Sequence, residues 1–197
     1  MPKTALEHLD ALLQGNEAFA HASATRERAR LALGQEPYAV VLGCSDSRVP
    51  IETIFDRGPG EIFVVRVAGN IVDDGTLASV EYAVAVLATP LVLVLGHTKC
   101  GAVAAALERL RGGGEPDGRI GHLVDLVTPA AREAQREPDP WTRAVEAKVR
   151  NSVLALSEHS SLLREAAAAR RIAIRGAVYD LETGRVRMID ATTVKNV

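Results

Sequence analysis

Residues 41–50, VLGCSDSRVP, place Cys44, Asp46 and Arg48 at alternate positions directly behind an apolar run. The only other cysteine, Cys100, lies in GHTKCGAV, residues 96–103, three positions after His97 and again behind an apolar run. Two thiolates and an imidazole suit Zn²⁺, with Zn–S of about 2.3 Å and Zn–N of about 2.0–2.1 Å. Three protein ligands leave the fourth tetrahedral position open, the mark of a catalytic rather than a structural zinc. The spacing predicts His97 in a loop after a strand and Cys100 at the start of the next helix. A tight turn can then bring both onto one ion, and a helix N-terminus favours a thiolate. The plainer alternative is two buried cysteines acting as small hydrophobes beside a satisfied histidine. Both cysteines lie in polar turns at equivalent strand ends, which favours a metal.

Asp46 and Arg48 alternate with Cys44, so a continuing extended stretch would point all three to one face. A carboxylate beside a zinc either ligates it or accepts a hydrogen bond from its water. An arginine two residues on can hold that carboxylate in a bidentate pair. An ordinary surface Asp–Arg pair is the competing reading. A phosphatase loop needs C-x₅-R, and only three residues separate Cys44 from Arg48. A thioredoxin-type C-x-x-C is absent, and a reducing compartment argues against a Cys44–Cys100 disulfide.

The elements that must position these residues follow from hydrophobic period and breakers. Residues 4–20 space Leu6, Leu9, Leu12, Leu13 and Phe19 as an amphipathic helix. Residues 38–44 and 62–69 read as buried strands, and 75–88 as a helix ended by Pro90. Residues 91–96 form a third strand, followed by a helix beginning near Cys100. Glycine, proline and charge mark 111–119 and 137–140 as loops. Val145, Val149, Val153 and Leu156 mark a helix over 141–157, and the alanine run 166–169 is helical. RIAIRGAVYD and GRVRMID flank LETG as a terminal β-hairpin. Strands alternating with helices predict an α/β fold with a mainly parallel central β-sheet flanked by helices, an N-terminal helical arm and a C-terminal hairpin. In such sheets sites form outside the carboxyl ends of strands, where Cys44, His97 and Cys100 fall.

A chain of 197 residues suits one domain, divided here into an arm over 1–34 and a zinc-binding α/β core over 35–197. With 47% hydrophobic and 24% charged residues and a net charge of −2, nothing points to nucleic acid or an anionic membrane as partner. Residues 1–10 lack the apolar core of a secretory signal, and residues 83–96 are too short to span a bilayer, so a cytoplasmic location is expected.

CSDSRV, GEIFVVRVAGN, SVEYAV and GHTKCGAV, in this order and spacing, resemble the β-class carbonic anhydrases; LLQGNEAFA and GAVYDLETGRV extend the likeness over nearly the whole chain. The resemblance implies a carbonate dehydratase, a lyase interconverting CO₂ and bicarbonate by attack of zinc-bound hydroxide. It implies one Zn²⁺ per chain on Cys44, His97 and Cys100, with Asp46 and Arg48 as the catalytic dyad. Gln35 matches a glutamine that hydrogen-bonds substrate oxygen, and Phe63, Ala68 and Tyr82 match positions lining the apolar CO₂ pocket. In the family these groups come from the partner subunit, so a homodimer is the minimum competent unit, with tetramers among the larger assemblies. Val41 stands where a bicarbonate-inhibited subclass carries tryptophan, and Lys99 where many members have aspartate. Zinc brings its water to a pKa of about 7 in a three-histidine site. Two thiolates donate more charge, so Asp46 becomes useful as an acceptor, and Arg48 keeps it off the metal.

Two other readings share this ligand set. One is hydrolysis of COS or CS₂ on the same scaffold; the other is a non-catalytic protein with a structural zinc. His8, His21, His122 and His159 are candidates for proton relay, Arg66 for a structural pair, and Trp141 for packing.

Overall fold

Runs of Val, Ile and Leu bounded by polar or breaking residues form the strands. In the computed structural model, which describes residues 5–22 and 25–190, these are β1 (Ala39–Gly43), β2 (Ile62–Arg66), β3 (Leu91–His97), β4 (Ala173–Tyr179) and β5 (Val186–Ile189). They make one sheet in the order β2-β1-β3-β4-β5. The first four are mutually parallel and β5 returns antiparallel to β4, closing the expected hairpin. β1 therefore lies between β2 and β3: the chain leaves it to one side and returns on the other. The carboxyl end of β1 is the reversal point at which open α/β sheets form their crevice.

The chain falls into two compact units, residues 1–35 and 36–197. The first holds α1 (Ala5–Ala22) and α2 (Thr25–Leu31), tied by Arg28 Nη1 donating to the Ala20 carbonyl at 2.5 Å. Thr4, where the sequence starts the first helix, lies outside the described residues. The apolar row Leu6, Leu9, Leu12, Leu13 and Phe19 is exposed.

In the second unit side chains alternate across the sheet, as strand geometry requires. Val40, Leu42, Val92, Val94, Ile174 and Val178 join the larger core with α4 (Asp74–Ala85), α5 (Gly101–Leu110), α6 (Ile120–Ala134), α7 (Pro140–His159) and α8 (Ser161–Ala168). Val41, Leu93, Leu95 and Ala177 form a smaller cluster with Val49 and Ile51, the latter in the short α3 (Ile51–Ile54). Gly96 lets α7 come close: a Cβ there would lie 2.6 Å from Val149 Cγ2. Asp73 caps α4 by accepting from Thr76 N, and Asp139 caps α7 by accepting from Thr142 N.

Two differences from the sequence reading concern elements. The stretch 120–134, to which sequence assigned nothing, is α6, continuous through Pro129. Its internal proline obscures it, but Val124, Val127, Ala130 and Ala131 are buried, and packing overrides propensity. His97 is the last residue of β3, paired with Tyr179 of β4, rather than part of the following loop. The ladder runs one residue further than expected because β4 offers a partner to its end.

Candidate metal centre

β1 and β3 are neighbours with Gly43 opposite Leu95, so Cys44 emerges one residue past Gly43 beside the end of β3. β3 delivers His97, and the Thr98–Lys99 turn delivers Cys100 as the N-cap of α5. That turn requires a left-handed residue, and Lys99 adopts φ +57°. The Thr98 amide donates to the Tyr179 carbonyl at 2.9 Å, and Thr98 Oγ1 accepts from the Leu181 amide at 3.0 Å. Lys99 also forms an ion pair with Glu182. The ligand turn is thus pinned to the turn between β4 and β5.

Cys44, His97 and Cys100 are all buried, and their donor atoms lie within 4.8 Å of one another, close enough to hold one metal ion. His97 Nδ1 lies 2.9 Å from the Thr98 carbonyl, which fixes the tautomer with the proton on Nδ1. Nε2 is buried without a partner, a lone pair aimed into the cluster. Both cysteines are free thiols, as expected. Two sulfurs and an unpartnered imidazole nitrogen converging in a buried crevice fit Zn²⁺.

The Cys44 thiol is pulled down by its hydrogen bond with Cys100, against burial, with smaller help from His97 and from the Gly69 amide at 3.3 Å. Cys100 is correspondingly pushed up by its bond to Cys44 and by burial, against the pull of the Ala102 and Val103 amides. Gly69 reaches the sulfur only because it sits at φ +69° in the 3₁₀ turn Ala68–Asn70, where a Cβ would lie 3.0 Å from Ala102 Cβ and 3.2 Å from Val127 Cγ2.

Asp46 and Arg48 pair as expected, but not by an extended stretch. The chain turns at residues 47–48, with the Val49 amide donating to the Asp46 carbonyl at 3.0 Å. Asp46 can therefore receive three bonds from one residue. Arg48 Nε donates to Oδ1 at 2.9 Å, Nη2 to Oδ2 at 2.7 Å, and the Arg48 amide to Oδ1 at 3.0 Å. These bonds hold the Asp46 carboxyl well below the usual carboxylate range, with partial burial opposing them. Oδ2 lies 3.8 Å from His97 Nε2, at the edge of the donor cluster.

Sequence reasoning gave Arg66 a structural pair, Trp141 packing and Arg48 the Asp46 partner, but did not foresee the backbone contacts these three make. Arg66 grips the backbone of the ligand loop, Nε donating to the Cys44 carbonyl at 3.0 Å and Nη2 to the Asp46 carbonyl at 2.6 Å. Its position opposite Gly43 across β1 and β2 becomes visible only once the register is known. Trp141 Nε1 donates to the Cys100 carbonyl at 3.1 Å. Arg48 Nη2 reaches the Lys99 carbonyl at 3.4 Å. Of the residues the resemblance assigned to the substrate pocket, Phe63 on β2 and Tyr82 on α4 meet, ring centroids 6.1 Å apart at 35°. Ala68 opens the 3₁₀ turn beside Gly69, and Gln35 lies in the first unit. His8, His21, His122 and His159 are exposed.

A mainly parallel α/β sheet with a Cys–His–Cys cluster able to hold a metal ion and an arginine-locked aspartate at its reversal point defines the class of fold and site. A sequence profile of the carbonic anhydrase family matches residues 39–186. Carbonic anhydrase 2 of Mycobacterium tuberculosis is 43% identical over 189 residues, covering 91% of this chain and 90% of that protein. The Pseudomonas aeruginosa carbonic anhydrase is 37% identical, covering 83% and 78%. Among solved structures, a tetrameric β-carbonic anhydrase of Sordaria macrospora superposes with a TM-score of 0.82 at 30% identity, covering 93% of this chain and 98% of that one. The Coccomyxa β-carbonic anhydrase in complex with acetazolamide gives 0.80 at 30% identity, covering 91% and 85%. The chain belongs to the β-carbonic anhydrase family, the lyases that interconvert CO₂ and bicarbonate. Among the described residues, no helix is long and apolar enough to cross a membrane.

Proposed function

We propose that the chain hydrates CO₂ reversibly at one Zn²⁺ held by Cys44, His97 and Cys100, with Asp46 and Arg48 as its working dyad. The observation that carries this reading is the locked Asp46 carboxylate 3.8 Å from the unpartnered His97 Nε2. Zinc in this cluster supplies Lewis-acid activation of a water molecule. Asp46 stays ionised at neutral pH under the pull of Arg48, so it is an acceptor only. It takes a hydrogen bond from the attacking water and orients the oxygen lone pair toward the CO₂ carbon. Arg48 occupies both carboxylate oxygens and keeps Asp46 from becoming a fourth ligand. Arg66 holds the backbone of Cys44 and Asp46 in place. Gln35 donates to a substrate oxygen, and Phe63, Ala68 and Tyr82 form an apolar wall suited to a nonpolar gas.

The functional unit is one domain with an N-terminal arm, working as a homodimer or a larger assembly in which Gln35, Phe63, Ala68 and Tyr82 serve the partner subunit. The exposed apolar row of α1 supports this, because a soluble monomer gains nothing from showing it to water. The protein acts in the cytoplasm, without nucleic acid or membrane as partner.

The test is stopped-flow CO₂ hydration against pH, with zinc content and molar mass measured on the same preparation. About one zinc per chain, a dimer or larger, and a rate rising with pH as the water loses its proton are expected. Full zinc without CO₂ hydration, but with turnover of COS or CS₂, overturns the substrate. A chain without zinc overturns the centre.

A further inference from the structure

α7 carries a lysine where the protein is dry. Lys148 lies mid-helix among Val145, Ala147 and Val149 and is 5% exposed. Among the described residues it forms no ion pair, and the one charge attraction it feels is toward Cys100 when that thiol is ionised, as metal binding would require. An ammonium buried without a carboxylate is costly, and replacing it by an apolar side chain of similar length relieves the fold. Burial pushes its pKa down to about 8, against the attraction of an ionised Cys100.

Its contacts point toward the metal centre. Nζ lies 2.6 Å from Ser152 Oγ and 3.5 Å from the Asn70 carbonyl, and Ser152 Oγ donates to that same carbonyl at 3.1 Å. Asn70 is 3% exposed, stands at φ +40° next to Gly69 at φ +69°, and leaves its Nδ2 without a partner. Glycine takes the left-handed conformation freely, but Asn70 beside it is held there by its surroundings. The amide of this same turn, Gly69 N–H, reaches the Cys44 sulfur at 3.3 Å. One turn thus separates the buried cation from a ligand atom.

We propose that Lys148 is a positioning and charge-balancing residue of the Cys44–His97–Cys100 centre. Its ammonium, together with Ser152, holds the Asn70 carbonyl and so aims the Gly69 amide at the Cys44 sulfur. Its positive charge offsets the negative charge that two thiolates bring into a buried crevice. The role rests on the metal centre proposed above. Partners of this kind, one step behind the ligands, fix ligand orientation in metal sites generally.

The experiment uses K148M, which fills the same volume without charge, and K148Q, which keeps a donor but not the charge. Zn²⁺ dissociation constants are measured by chelator competition, and the thiolate charge-transfer band is recorded after Co²⁺ substitution. The thermal midpoint of each metal-free chain completes the set. Both variants are expected to bind Zn²⁺ roughly 10- to 100-fold more weakly and to shift the Co²⁺ band. The metal-free midpoint of K148M stays equal to or above that of the parent. A folded variant of either kind with parental Zn²⁺ affinity and an unshifted band overturns the proposal. A K148M chain that melts lower while binding Zn²⁺ as the parent does identifies a purely structural lysine and overturns it as well. A parent chain giving no thiolate band with Co²⁺ overturns the metal centre, and this role with it.

Discussion

The indole N–H of Trp141 donates to the Cys100 carbonyl at 3.1 Å, joining the first turn of α7 to the residue that both caps α5 and offers a sulfur to the centre. The bond crosses 41 positions of sequence.

Trp141→Phe keeps most of the ring and removes this donor. The loss of one net hydrogen bond, about 1 kcal/mol, lowers the melting temperature of a chain of this size by roughly 2–4 °C. A thermal melt followed by circular dichroism checks it, and an unchanged midpoint would show that the bond contributes nothing.

Arg48→Ala removes two side-chain bonds to Asp46 and leaves only the amide at 3.0 Å. Freed of its partner, Asp46 is expected to close the short distance to the centre and take the fourth ligand position. CO₂ hydration should fall by roughly 10- to 100-fold or more, as when other partners that orient metal ligands are lost. A crystal structure of the zinc-loaded variant reads the change as an Asp46 carboxylate oxygen on the metal in place of water. A fully active variant with Asp46 off the metal would remove Arg48 from the dyad.

Glu146 ties α7 to β5: Arg143 pairs with it at 2.9 Å, and Arg187 of β5 pairs with its other oxygen. Burial alone would raise its carboxyl, but the hydrogen bonds from Arg143 and Arg187 bring it below its ordinary value of 4.5. A carboxyl depressed in the folded state binds fewer protons there than in the unfolded chain. Its stabilising contribution is therefore complete above pH 4.5 and is lost as the pH falls through the lower folded value. Glu146→Gln is expected to unfold at lower denaturant than the parent at pH 7, and the gap should narrow steadily below pH 4.5. Urea titrations at three pH values decide this; a gap independent of pH would assign the effect to packing.

The chemistry was legible because residue types and spacing carry it. Cys44, His97 and Cys100 could be singled out as candidate donors, which the fold gathers within 4.8 Å of one another, and Asp46 with Arg48 as a pair. The alternating apolar runs likewise determined a parallel α/β sheet, because a strand buried on both faces must be apolar throughout. What sequence could not supply is whatever depends on register and on contacts between distant segments. The end of β3 extends to His97 because β4 runs beside it, and the Asp46 carboxylate is gripped through a turn rather than along an extended face. Arg66, Trp141 and Lys148 hold the Cys44, Cys100 and Asn70 carbonyls from 22, 41 and 78 positions away. No local pattern encodes such separations. They arise when the sheet register and the packing of α7 bring donor and acceptor together, and only the tertiary structure decides that.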